Sequence, residues 1–193
     1  MAVTRDRIVQ GIAIVAAIAA VVWLASGNRL PTAQQKVSDG GCAHGADVPS
    51  SGNEAGVRSA TLCLLNKRRA EHGLRPLVEN RRLARAAKRF SNQMTAQRFF
   101  DHVAPDGTTP LQRVEAAGYV HVRLTGENLG WGIGKAATPF EMVDGWMHSP
   151  GHRANILRRS FKEIGIGVTD KAPQAVGDQK AATYTTDFGS ARR

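Results

Sequence analysis

The chain holds 193 residues, 42% of them hydrophobic, which suits one domain with a real core and excludes a disordered protein. Its net charge of +10 and pI of about 10.4 favour anionic partners: nucleic acid, anionic lipid or acidic wall polymers.

Taken in order, the first feature is IVQGIAIVAAIAAVVWLASG, Ile8 to Gly27, whose only strongly polar side chain is Gln10. Its length matches the roughly 30 Å hydrocarbon core of a bilayer. Arg5 and Arg7 precede it and fit a cytoplasmic amino end. Residues 1–27 therefore read as a signal anchor, or as a signal peptide cut near the small residues Ala25-Ser26-Gly27. Both readings export the rest of the chain to the membrane's outer face or the medium, and export argues against a nucleic-acid partner. An exported chain with two cysteines, Cys42 and Cys63, is expected to bridge them.

Residues 28–58 are rich in Gly, Ser, Ala, Asp and Pro without periodicity, so an extracellular linker is expected there and a folded domain over 59–193. Arg58 to His72 reads as a helix ending at Gly73, a left-handed cap. Asn80 is placed to cap a second helix whose stripe is Leu83, Ala86, Ala87, Phe90 and Met94. Cations from Arg81 to Arg89 interleave with that stripe.

FFDHVAPDG, Phe99 to Gly107, ends in turn residues and reads as a loop. Thr109-Pro110 opens a short helix closed by Gly118. Val120–Val122 suggests a strand fragment, and the glycines of TGENLGWGIG suggest tight loop geometry. Thr138-Pro139-Phe140-Glu141 is a capping box whose helix runs to about His148. EIGIGVTD and ATYTTDFG read as closing strands. Helices followed by strands, without βαβ alternation, predict an α+β domain.

Chemistry concentrates in three stretches. In GWMHSPGHRANIL, Ser149-Pro150 begins a short helix, with Ser149 expected to cap it and His152 in its first turn. The positive helix end there would hold His152 neutral, the state a ligand or base requires. His102 follows an aromatic anchor in its loop, and Glu127 is flanked by glycines. Two imidazoles and one carboxylate are the ligand set of an open zinc site, so His102, His152 and Glu127 are the candidate metal ligands. His148 is expected exposed at the rim, with Trp131 and Trp146 in the core. A Ser149–His152 nucleophile pair is disfavoured, since a capping hydroxyl is already engaged and no GxSxG elbow or HExxH helix is present.

FFDHVAPDGTTPLQRVEAAGY, GENLGWG, VDGWMHSPGHRANIL, EIGIGV and YTTDFG, in that order, closely resemble the CAP superfamily, also called SCP or PR-1-like, in its bacterial form. CLLNKRRAEHGLRPL matches the usual opening, and the resemblance spans roughly Ser59 to Gly189. It implies an α-β-α sandwich, a three-stranded antiparallel sheet between helical layers. It also implies a cleft lined by a His-Glu-Glu-His tetrad that in some members binds zinc. His102, Glu127 and His152 match three of the four, while Ser149 stands where the second glutamate would be. The function expected is binding of a small ligand, a lipid or a cell-envelope polymer at the cell surface by a monomer. The alternatives are metal-assisted hydrolysis with the same histidines, or electrostatic adhesion through Arg81–Arg89.

Overall fold

The computed structural model describes residues 41–192, so the apolar segment at Ile8–Gly27 lies outside the described residues. Helix α1 runs Glu54–Glu71 and starts earlier than the expected Arg58. The reason lies in the stretch read as linker, which folds onto the domain. Cys42 is buried and bridged to Cys63, and the Phe140 amide donates to the Gly45 carbonyl at 2.9 Å. The His44 ring lies where a side chain at Gly56 would go, so a glycine is tolerated in the first turns of α1. Closing a loop of this length contributes about 3 kcal/mol in the chain-entropy picture. Gly73, with φ +63°, ends the helical region as expected.

A two-residue strand β1, Val78–Glu79, precedes α2, Arg81–Gln97. The Asn80 side chain accepts from the Arg82 and Leu83 amides, and Leu83, Ala86, Ala87, Phe90 and Met94 are all buried, as the stripe required. Helix α3 is Pro110–Ala116, opened by a reciprocal Thr109–Gln112 capping box. Strand β2, Val122–Ile133, contains the whole GENLGWG stretch expected as a loop. Packing explains those glycines: a side chain at Gly130 would collide with Met142 and one at Gly132 with the Ala136 backbone. A 3₁₀ turn at Gly134–Ala137 leads to α4, Pro139–His148, then α5, Pro150–Ile156. Thr138 caps α4, but Glu141 pairs with Lys135 rather than closing the box. Strands β3, Glu163–Thr169, and β4, Ala181–Ala191, finish the domain.

The sheet order is β1-β3-β4-β2, with β1 parallel to β3 and the other pairs antiparallel. The expected three-stranded antiparallel sheet is thus a four-stranded mixed one; Val78–Glu79 is too short to leave a period in the sequence. Alternation along β3 separates the two layers. Gly165 and Gly167 lie directly beneath the α2 backbone, while Ile164, Ile166 and Val168 enter the core on the other face with Leu65, Trp146, Phe161 and Tyr184. Helices therefore cover both faces, and α3 leans on α2 through Val114, Leu83 and Ala86.

A methyl group at Gly165 would fall within the backbone of Leu83 and Ala84, which cannot rotate away. Gly165→Ala is expected to destabilise the domain by about 3 kcal/mol, read as a lowered urea midpoint at unchanged slope.

Candidate functional site

The site is built on β2, an edge strand of the sheet. Register places Glu127 opposite Asp187 of β4, which in turn lies opposite Gly165 of β3. Glu127 thereby points to the α2 face, and its side chain is only 2% exposed. A lone buried carboxylate is costly, so its partners decide the site. Arg113 of α3 donates through Nη2 to Glu127 Oε2 at 2.6 Å and to the His102 carbonyl at 3.0 Å. Its Nη1 donates to the Thr108 carbonyl at 2.9 Å, and its guanidinium carbon sits 3.3 Å from the centroid of the Phe90 ring. One buried arginine thus joins β2, α2, α3 and the loop carrying His102.

His102 Nδ1–H donates to the other oxygen, Glu127 Oε1, at 2.7 Å. That hydrogen bond chiefly, and the carboxylate charge, hold the imidazole above its ordinary pKa against partial burial. His152 moves the opposite way, lowered first by burial and then by the positive charge of His102. Both causes favour the neutral ring expected at this position. Below the pair, Asp187 is buried with neither oxygen hydrogen-bonded among the described residues. Burial and the adjacent Glu127 charge push its carboxyl well above the usual range, with Arg113 opposing.

Helix α5 is held against β2 by amides. Asn155 Nδ2 donates to the Glu127 carbonyl at 3.1 Å and to Asn128 Oδ1 at 2.9 Å, and Asn128 Nδ2 donates to the His152 carbonyl at 3.1 Å. These bonds fix the His152 backbone against β2, where the His102 charge still reaches its ring. Ser149 occupies the N-cap position of α5, but its side chain makes no capping bond, contrary to the expectation. His148 is exposed as expected and donates to the Asp144 carbonyl. Trp146 is buried and donates to the Leu129 carbonyl, whereas Trp131 is only half-buried.

The three candidate ligands do not fit a metal ion as a set. Both Glu127 oxygens are spent on Arg113 and His102, and the guanidinium beside them opposes a second cation. Among the described residues no three His, Cys, Asp or Glu side chains form a group able to hold one. Arg113, Asn128, Asn155 and Asp187 were not singled out from the sequence. The available signal was a single acid in the otherwise uncharged strand ATYTTDFGSA, and an arginine inside a short capped helix.

The geometry orders the two imidazoles. In a ¹H–¹³C NMR titration His102 should titrate above the ordinary value of about 6.5 and His152 below it. Glu127→Gln should pull His102 down and let His152 rise; the reverse order of the two would contradict this. Because His102 is raised on folding, its contribution to stability is complete below the ordinary imidazole pKa and is lost as pH climbs through the raised one.

Comparison with known proteins gives the same outline. YkwD of Bacillus subtilis, an uncharacterized protein, is 36% identical over 107 residues, covering 55% of this chain and 40% of that protein. The uncharacterized membrane protein YlbC of the same organism is 33% identical over 112 residues, covering 57% of this chain and 31% of its own. This chain thus matches less than half the length of either relative. An extracellular SCP-domain protein from Bacillus anthracis aligns with TM-score 0.58 at 25% identity, over 84% of this chain and 45% of that one. An outer surface protein from Borrelia burgdorferi shares the fold at TM-score 0.57 and 23% identity, over 68% and 90% of the two chains. The family profile of the cysteine-rich secretory proteins matches residues 62–184, and the chain belongs to that family, CAP.

Proposed function

We propose that this CAP protein is exported, held at the membrane by its apolar segment at Ile8–Gly27, and binds a small ligand, a lipid or a wall fragment in a cleft between His102 and His152. One observation carries the reading. Glu127, itself paired with Arg113, holds His102 by Nδ1, and the half-exposed ring, 51% accessible, keeps Nε2 without a bond among the described residues. A ring fixed by one nitrogen and open at the other is prepared to meet a ligand rather than to support the fold. With its pKa raised His102 is the better donor, and with its pKa lowered His152 is the better acceptor, a pairing suited to hydroxyl and acyl oxygens. The name of YlbC, a membrane protein, and the extracellular neighbour support the location.

The test is a binding titration of the full chain in uncharged micelles with a soluble disaccharide-peptide fragment of cell wall, followed on the histidine resonances. Binding should shift His102 and His152, and His102→Ala should weaken it about tenfold, the value of one charge-assisted hydrogen bond. Shifts confined to other histidines, or affinity untouched by His102→Ala, would contradict the reading.

A further inference from the structure

On the sheet face opposite Glu127, where the chain returns from α5 to β3, a second arginine organises the backbone. Arg69 of α1 is 1% exposed and has no carboxylate partner among the described residues. It donates instead to the carbonyls of Arg75 at 2.9 Å, Ile156 at 2.7 Å, Arg158 at 3.1 Å and Phe161 at 3.4 Å. These bonds stitch the turn after α1 to the segment before β3. The two segments wall a cavity of about 510 Å³ lined by Arg75, Pro76, Val78, Arg159, Phe161 and Lys162. A neighbouring concavity of about 440 Å³ shares Val78 and Lys162 and adds Ser190 and Arg192.

The charges in this groove are unbalanced. Among the described residues Arg75, Arg159, Lys162 and Arg192 form no ion pair. The one acid lining it, Glu163, already accepts from Tyr119 Oη at 2.7 Å and Asn80 Nδ2 at 2.8 Å. The buried Arg69 guanidinium adds a further uncompensated charge behind the wall. Between the cations lies apolar surface, with Val78 65% exposed.

We propose that this groove is a second binding site, separate from the histidines, for a phosphate ester carried on a short carbon backbone. Guanidinium forks from Arg75 and Arg159 match phosphate oxygens, Lys162 supplies a movable third charge, and Pro76 and Val78 receive the carbon skeleton. The phosphate reaches the site from a soluble polymer or from a lipid headgroup, and the recognising chemistry is the same.

The experiment uses the full chain in uncharged micelles, titrated by calorimetry with a water-soluble glycerol phosphate oligomer. The groove variant carries Arg75→Gln, Arg159→Gln and Lys162→Gln; the control carries Arg81→Gln, Arg82→Gln and Arg89→Gln, removing equal charge from the exposed face of α2. All six side chains are exposed, so both variants keep the fold. The groove variant should lose about tenfold or more in affinity and the control less than about threefold. Doping the micelles with phosphatidylglycerol separates the sources: competition with the oligomer places lipid headgroups in the groove, and its absence leaves the soluble polymer as ligand. Equal loss in both variants, or no binding by the wild type, would overturn the proposal.

Discussion

The buried pair of Arg113 and Glu127 is the contact on which the candidate site depends. It joins the edge strand β2 to α3, to the loop carrying His102 and, through the Phe90 ring, to α2. Side chains 8% and 2% exposed lose most of their hydration, and their attraction returns little beyond what that loss costs. An apolar pair of the same volume would hold the layers together about as well. What the charges add is position: an acceptor at Oε1 that orients the His102 ring, and an arginine that clamps the loop backbone behind it.

Asp187 extends the same logic one layer deeper. A second carboxyl beside Glu127 is favoured in burial when it carries its proton, which leaves one carboxylate for the one guanidinium. The two buried arginines then play contrasting parts. Arg113 is neutralised by a carboxylate and shapes the site around His102. Among the described residues Arg69 is met by carbonyls and by no carboxylate, so its charge stays uncancelled there and adds to a basic groove. The net charge of +10 is therefore not spread evenly in effect. Within the stretch Arg81–Arg89, Arg85 and Lys88 are occupied by the Ala117 carbonyl and by Glu54 and the Val168 carbonyl, while the groove cations have no such partners among the described residues.

How much was legible follows from the range of each interaction. Asn80 capping α2, Thr109 with Gln112 capping α3, and the α2 stripe are local, and the sequence shows them directly. The cysteine pair was readable from export alone. GENLGWG was misread as a loop because glycine ordinarily weakens strands; here the missing side chains make room for Met142, Trp146 and the turn at Ala136. His102, Glu127 and His152 were found as three separate stretches, but their assembly rests on Arg113, Asn128 and Asn155. These connect through cross-strand register and through contacts between distant segments, which leave no spacing in the chain. Ser149 shows the opposite failure: its position as a cap was legible, yet its hydroxyl makes no capping bond.

The most direct test of this account is a double-mutant cycle on stability with Arg113→Met, Glu127→Leu and the combined variant, each unfolded by urea while His102 is followed by NMR. Each single change strands a buried charge and should lose about 3–5 kcal/mol, whereas the double variant should lose far less than their sum. Both variants lacking Glu127 should also return His102 to an ordinary imidazole titration. Additive losses, or a His102 that stays elevated without Glu127, would show that the pair does not organise the site.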